Sequence, residues 1–498
     1  MKSTKENILS LAREYKLIFL FGVVFGFVAH ASAMTNKFIN QDELEYLFSK
    51  GATIDSGRWF LHLTSAVFPD ASMPWINGVI ALVLLSAACC VIIRTFDIKS
   101  RVLQALLAAV IVTFPAEAFT LTYMFTAAPY ALSFLLFALS VYELTRGGWG
   151  RAALSALLFC LACGIYQAYL SLAASLFVAY IIKKLITREW SAKEGIAFGV
   201  KALAVMLAGL AVYFAVNKLV LAATATEYND YAADLLYQSI TPATILRLIK
   251  TAYLSFFYFF RHNYLQYIPT RTAQLANLVL FAAVFVCLIK CFIKDRDLAR
   301  KLLWAALLLI LPLAVNCILI FSFIHAVMLY GFVGVYVLAA ALLDGEHART
   351  GRLCLHDVGA LCLAVIVMCN LVYSNKVFLK QELVYEETYS FYSALISRIK
   401  QLPDYSDDDK IALLGDGSEQ VHKASEIDTK GLIAVGDELV SAYSRDKLLK
   451  YYMGLDCDVI DETELTQQQL AKAATMPRYP ADGGITRDDG VIIVRLDW

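Results

Sequence analysis

Residues 17–34 read LIFLFGVVFGFVAHASAM, eighteen positions without an acid, a lysine or an arginine. As a helix this run rises about 27 Å, close to the thickness of a bilayer's hydrocarbon core. Lys2, Lys5, Arg13 and Lys16 precede it, and Asn40-Gln41-Asp42-Glu43 follow within a few residues. A basic start before an apolar run is also the pattern of a signal peptide. Here the run has span length, further apolar runs follow it, and Ala31 to Ala33 is a weak cleavage site, so the reading is an uncleaved first helix. Ten more runs follow at 76–93, 102–119, 128–145, 152–165, 167–182, 197–219, 273–293, 302–323, 326–343 and 358–374. The stretch 152–182 reads either as one long tilted helix or as two; basic residues at both ends favour a tight hairpin turning near Gly164 to Gln167.

The composition agrees with a membrane solvent. Of 498 residues 59 % are hydrophobic and only 17 % charged, far from a soluble domain. Hydrocarbon leaves no backbone group unpaired, and runs of helical-span length exclude a barrel of short alternating strands. The expected fold class is an all-α polytopic membrane protein of about 11 transmembrane helices over residues 1–375, with a small α/β domain over 376–498. Lys+Arg and Asp+Glu number 43 each, so no global field draws the chain onto nucleic acid. Charge placement says more. Arg94, Lys99 and Arg101, then Arg146 and Arg151, Lys183 to Lys193, Lys290 to Lys301, and Arg349 and Arg352 all fall on the side of the basic N-terminus. The positive-inside rule makes that side cytoplasmic. The long segments 35–75 and 220–272, the turn at His325 and the whole tail are then extracytoplasmic, on a multi-pass membrane protein.

The two long outer segments mix aromatic and polar residues at Leu44 to Phe48, Trp59 to Phe68 and Tyr253 to Tyr267, which suits helices lying along the membrane surface. In the tail, a helix near 378–400 precedes short apolar strands at Ile411 to Leu414, Gly431 to Val435 and Val491 to Leu496, with helix near 438–453. No phosphate-binding loop, no G-x-G-x-x-G after a strand and no H-E-x-x-H occurs. No internal repeat supports the inverted symmetry of transporters. Most cysteines sit in or beside apolar runs; Cys160 and Cys163 form a C-x-x-C inside one, without partner ligands, and carry no assigned chemistry. Asp407, Asp408 and Asp409 lack the alternating spacing of a calcium loop and read as a solvated turn.

Several residues have the chemistry for a site at the outer face. Asp42 and Glu43 suit a general base that takes a proton from a sugar hydroxyl, or else form the first turn of a helix capped by Asn40 or Asp42. Arg58, in Asp55-Ser56-Gly57-Arg58-Trp59-Phe60, suits bidentate phosphate binding, and Trp59 suits stacking on a sugar, with His62 beside them; both also serve as interfacial anchors. The second outer segment offers Arg261, His262 and Arg271 beside the aromatic run Phe256 to Phe260, a composition fit for a phospholipid head group. Glu117 is an isolated acid in an apolar run, His325 an ionisable residue in a short turn, and Tyr166-Gln167 place hydrogen-bonding groups at membrane depth, where a glutamine also bonds neighbouring helices. No metal site or cofactor is expected from these groups.

Asn40-Gln41-Asp42-Glu43, Gly57-Arg58-Trp59, Phe114-Pro115, Tyr166-Gln167 and Met476-Pro477-Arg478-Tyr479-Pro480, in this order and spacing, resemble the serotype-converting, O-antigen-modifying glucosyltransferases of the GtrII type over essentially the whole chain. The resemblance implies a GT-C fold and transfer of a hexose, glucose by the family's name, from a polyprenyl-phosphate carrier to a cell-envelope glycan. It implies an acidic base in the first outer loop, which favours Asp42 with Glu43 second. A single inverting displacement needs one base, with Arg58 and Arg261 or Arg271 on the leaving phosphate. Trp59, His62, Glu117, Tyr166, Gln167, His262 and His325 would line the sugar and acceptor. The implied partners are the lipid-linked donor, the acceptor glycan, membrane lipid, an enzyme that makes the donor and a flippase that delivers it. A lipid-carrier flippase and a glycan polymerase or ligase are the competing functions; a transporter would gather its polar residues at the bilayer midplane instead of at the outer helix ends.

Overall fold

The structure, a computed structural model, describes residues 2–48, 54–64, 67, 71–228, 241–261, 269–320, 325–346, 354–403, 405–415, 417, 427, 444–455 and 457–496. Among them eleven helices are long and apolar enough to cross a membrane, and Trp149–Ile165 is a shorter apolar helix. The chain is a multi-pass membrane protein. Contacts divide it into two units, one of 1–35, 50–375 and 429–431, the other of 36–49, 376–428 and 432–498.

In the first unit α1 (Lys2–Thr35), α4 (Pro74–Thr95), α7 (Met124–Thr145), α8 (Trp149–Ile165) and α10 (Ala192–Thr224) pack one against the next. The short helices α2 (Gln41–Glu45) and α3 (Trp59–Thr64) lie between α1 and α4 in the chain. Small residues let the long helices approach, as expected where lipid supplies no hydrophobic drive between them. Gly22 and Gly26 of α1 face Ser86 and Leu82 of α4, and a Cβ at either glycine would meet a side-chain atom at 2.7 Å.

Three of the apolar runs are broken, and the breaks meet. The run from Arg101 is α5 (Arg101–Val112) and α6 (Pro115–Thr120). Pro115 has no N–H to give and holds Phe114 extended at φ −58° and ψ 139°, which ends one helix and starts the next. The run 152–182 breaks at Tyr166 (φ −153°, ψ 104°), after which a 3₁₀ turn, Gln167–Tyr169, leads into α9 (Leu170–Ile186). The third break follows α13 (Leu298–Val315), where 3₁₀ segments Cys317–Ile320 and Ala326–Phe332 precede α14 (Val333–Leu343). Segment 326–332 packs on α6, on α9 and on the turn 167–169. Polar side chains serve the third break: Ser171 Oγ accepts from the Ile318 N–H at 3.3 Å, and the Asn316 amide donates to the Pro312 carbonyl and to that of Ala252 on a neighbouring helix, each at 3.0 Å. The expected span 302–323 is therefore shorter, ending as α13 at Val315.

Segment 220–272 differs from the expected surface loop. The helix α10 continues to Thr224, and α11 (Pro242–Arg261) has the length and composition of a span. It packs on α12 (Arg271–Lys294) and α13. Tyr253 Oη donates to the Leu309 carbonyl at 2.6 Å, and the Phe260 ring meets Phe281 edge-on at 4.8 Å. Phe281 lies ten residues along α12, about 15 Å from its start, so α11 runs beside the middle of that helix instead of across its end. Burial of Phe259 and Phe260, in the stretch Tyr253 to Tyr267 that suggested a surface helix, accounts for this. The final run and the tail's first helix are one helix, α15 (Leu355–Lys400).

The second unit carries a four-stranded sheet in the order β2-β1-β4-β3. Here β1 (Lys410–Leu414) pairs in parallel with β2 (Val459–Ile460) and β4 (Val491–Arg495), and β3 (Ile485–Asp488) pairs antiparallel with β4. Two of the expected strands are present, Gly431 to Val435 lies outside the described residues, and the helix expected at 438–453 is described as α16 (Arg445–Met453); α17 (Gln467–Thr475) follows. The core joins Ile411, Ile492 and Val494 of the sheet to Leu448 and Leu449 of α16. Ile39 and Leu44, from the segment after α1, are wholly buried in that same core.

Of the acidic run, Asp409 is buried and bound by Arg487 through two hydrogen bonds of 2.8 Å, while Tyr405 donates to Asp407 at 2.9 Å. The Arg487 guanidinium holds the Asp409 carboxyl below its ordinary range. The pair's stabilisation is thus complete above the unfolded carboxyl value, about 3.9, and is lost as pH falls through the lowered folded value. Arg487→Ala should lower the thermal midpoint of the second unit in detergent by a constant margin from about pH 5 to 8, and the margin should shrink below about pH 4. A margin that persists unchanged at the acidic end would show that the pair contributes through packing alone.

Candidate functional site

The three helix breaks converge on a ladder of tyrosines in the first unit. Tyr130 of α7 stacks on Tyr166 with ring centroids 4.2 Å apart and planes within 12°. Tyr166 meets Tyr169 at 4.9 Å, and Tyr169 meets Tyr330 at the same distance, both edge-on. Tyr330 Oη donates to Glu117 Oε2. The other carboxylate oxygen, Oε1, is buried with no hydrogen-bond partner among the described residues. Tyr169 Oη lies 3.3 Å from Thr120 Oγ1. Phe114 stacks on Tyr330 and on Phe259, and Phe259 on Phe332 at 3.9 Å, which walls the acid's surroundings with rings.

Arg58 occupies the opposite end of the ladder. Its Nη1 donates to Tyr130 Oη at 3.0 Å, and its guanidinium carbon lies 5.1 Å from the Tyr166 ring centre. A phenol hydrogen bond and a cation–π contact hold the guanidinium without neutralising its charge, which is the way arginine is prepared for an anionic oxygen. The turn bearing it is clamped. Gln167 Nε2 donates to the Ser56 carbonyl at 3.1 Å and to Tyr213 Oη at 2.7 Å, and Tyr213 Oη donates to the Gly57 carbonyl at 3.0 Å. Gly57 has φ +73°, and a Cβ there would lie 2.6 Å from Tyr213 Oη. Trp59 is buried, and Gly164 makes room for it: a Cβ at 164 would lie 2.9 Å from the indole ring.

The structure therefore brings Arg58, Trp59, Tyr166, Gln167 and Glu117 into one neighbourhood, joining motifs about a hundred residues apart in sequence. Tyr130, Tyr169, Tyr213 and Tyr330 complete it and were not singled out from sequence; Tyr169 and Tyr330 lie at helix breaks, while Tyr130 and Tyr213 sit inside unbroken helices and join through tertiary contacts. His62 is exposed on α3. Arg261 is exposed at the end of α11, directly after the buried Phe259 and Phe260, and Arg271 is exposed at the first turn of α12, where Thr270 caps. His325 is half-buried before segment 326–332, and burial pushes its imidazole down to about 4, so it is neutral at physiological pH. His262 lies outside the described residues.

The two carboxylates after α1 belong to the second unit. Asn40 Oδ1 accepts from the Glu43 N–H at 2.8 Å and caps α2, the arrangement weighed from sequence as the alternative to a catalytic role. Glu43 is buried in an ion pair with Lys37, whereas Asp42 is half-exposed in the same turn. The cap fixes the start of the helix, and of its two carboxylates Asp42 is the more exposed.

Among the described residues one group has the spacing of a metal site, Cys354, His356 and Asp357 at the start of α15. Its atoms are occupied with one another: Asp357 accepts from the Cys354 N–H at 3.3 Å and lies 3.0 Å from His356 Nδ1, and His356 Nε2 lies 2.8 Å from Ser100 Oγ. These bonds cap α15 and tie it to the start of α5.

Gly57→Ala forces a left-handed φ on a residue with a Cβ, at a cost of about 1–2 kcal/mol before the contact with Tyr213 is counted. Gln167→Ala strips the Ser56 carbonyl of its donor, worth roughly 1–3 kcal/mol if the group stays buried. Each should lower the thermal-inactivation midpoint in detergent; midpoints equal to wild type would show that the clamp around Arg58 is not under tension.

A search of curated proteins finds no match to the chain. The family model described as glucosyl transferase GtrII matches residues 31–338, which takes in the end of α1, all three helix breaks, Arg58 with its tyrosines, and both carboxylates of α2. The chain belongs to the GtrII glucosyltransferase family.

Proposed function

We propose that the chain is a GT-C-type enzyme that moves a hexose, glucose by family, from a polyprenyl-phosphate carrier to an envelope glycan at the outer face of the cytoplasmic membrane. The observation that carries this reading is Arg58 held by the Tyr130 hydroxyl and the Tyr166 ring at a junction of broken helices, a preorganised cation within a membrane-embedded unit of a glucosyltransferase family. Sugar nucleotides do not reach the outer face, so a lipid-linked donor fits a chain without a nucleotide-binding motif. The basic loops support a cytoplasmic N-terminus. Eleven crossings then follow if α8 and α9 each cross and α11 does not. The parity argument is specific: α10 leaves the basic side at Lys193 and α12 returns to it at Lys290 and Lys294, so α11 between them enters and leaves by the same face. The second unit is extracytoplasmic on this count.

In the reaction Asp42 takes the proton of the acceptor hydroxyl as its oxygen attacks the anomeric carbon, and the bond to the carrier phosphate breaks on the far side with inversion. The sugar is transferred and polyprenyl phosphate leaves, its growing charge met by Arg58, with Arg261 or Arg271 as a second cation. Trp59, His62, Tyr166, Gln167, Glu117, His262 and His325 are the proposed sugar and acceptor surroundings. No metal or cofactor is assigned to the step. A donor-making glycosyltransferase on the cytoplasmic side and a flippase would supply the substrate.

The test is transfer of labelled glucose from synthetic polyprenyl-phosphate-glucose to an isolated envelope glycan by the purified protein. Asp42→Asn should lower kcat by about 10²–10⁴-fold with donor binding intact, and Glu43→Gln less. Arg58→Lys should fail to restore an Arg58→Ala loss, because an ammonium does not reproduce the planar stack. Loss confined to Glu43→Gln would move the base by one residue. Absence of transfer across several donor sugars, together with movement of the lipid carrier between leaflets, would replace this reading with a flippase.

A further inference from the structure

The segment bearing Asp42 is separated in sequence from the rest of the second unit by residues 50–375 of the first, yet it is built into that second unit. Residues 36–49 are flanked on both sides by chain of the first unit and make their contacts in the second. Ile39 and Leu44 are wholly buried there among Leu448, Leu449, Val384 and Tyr392. One face of α16 grips α2 from outside as well. Lys447 Nζ lies 3.4 Å from the Glu45 carboxylate, and one turn further on Tyr451 meets Phe48 edge-on at 5.1 Å. Lys447 and Tyr451 are each only half-covered, so neither is a core residue whose loss empties a cavity.

We propose that α16 is a positioning element for the proton-accepting carboxylate: Lys447 and Tyr451, through Glu45 and Phe48, fix the roll and reach of α2 and hence the direction of Asp42. The inference rests on the assignment of Asp42 as the base. It gives the α/β unit a part in the chemical step although none of its carboxy-terminal residues touches the reacting atoms. The anchoring is bipartite. Leu44 fixes the depth of α2, and the contacts of Glu45 and Phe48, which follow it, fix rotation about that anchor; a short helix of five residues held by its apolar side alone would be free to rock.

The experiment uses the full-length enzyme in the transfer assay, with Lys447→Gln, Tyr451→Ala and the double variant beside the conservative Lys447→Arg and Tyr451→Phe. The double variant should lose about tenfold in kcat, the scale of a small misplacement of a catalytic group, with the donor KM and thermal midpoint near wild type. The conservative variants should recover most of the rate. In an Asp42→Asn background the double variant should cause no further loss, because residues that act through one group are not additive with its removal. An undiminished tenfold loss in that background overturns the inference, as does wild-type kcat in the double variant while Asp42→Asn is inactive. Retained activity in Asp42→Asn itself defeats the prior assignment of the base, a separate result.

Discussion

A peptide group in hydrocarbon has no water to bond, so an interrupted helix is tolerated at membrane depth only where protein closes around the break. This constraint organises the first unit. Its three interruptions lie against one another, and the groups they free are served by Ser171, Asn316 and the 3₁₀ turns themselves. What an intact helix cannot do, an interrupted one can: it turns side chains of successive residues to a common point and leaves polar atoms available beside an apolar wall. Tyr166 and Tyr169, three residues apart across a break, and Glu117, two residues after Pro115, owe their meeting to that geometry.

Electrostatics follows from the same enclosure. Arg58 and Glu117 stand at opposite ends of the tyrosine ladder, and phenols mediate at each end, through the Tyr130 hydroxyl for the cation and the Tyr330 hydroxyl for the acid. Phenols solvate a charge without neutralising it. A direct salt bridge would satisfy both groups and hide them from a ligand; the ladder keeps both polar at the expense of two buried hydroxyls that must themselves be placed with care.

Local properties were legible in the sequence and long-range ones were not. The apolar runs placed nearly every membrane helix, because span length is a property of about twenty consecutive residues. The break near Tyr166-Gln167 was legible through the charges flanking 152–182, whereas 102–119 read as one span and its interruption at Pro115 was not foreseen. The course of α11 was not legible, since the same aromatic run suits a helix on a surface and one buried against neighbours; Phe281 and Phe332 decide, and they are far away in sequence. The clamp of Gln167 and Tyr213 on Gly57 is equally a matter of tertiary contact. The ambiguity at Asn40 to Glu43 resolved into a capped helix whose two acids differ in access, a difference set by Lys37 and by the core that holds Leu44.

The placement of residues 36–49 also sets an order on biogenesis. This segment is among the first to be synthesised, but the residues that enclose Ile39 and Leu44, from Val384 to Leu496, are among the last. During insertion of the intervening helices the early segment has no finished partner, and two large apolar side chains wait in an unfinished state. Folding of the second unit therefore closes a loop spanning nearly the whole polypeptide, a non-local step of the slow kind. A nascent chain can complete the contacts of Arg58 with its tyrosines while the segment that carries Asp42 still lacks the residues that enclose Ile39 and Leu44.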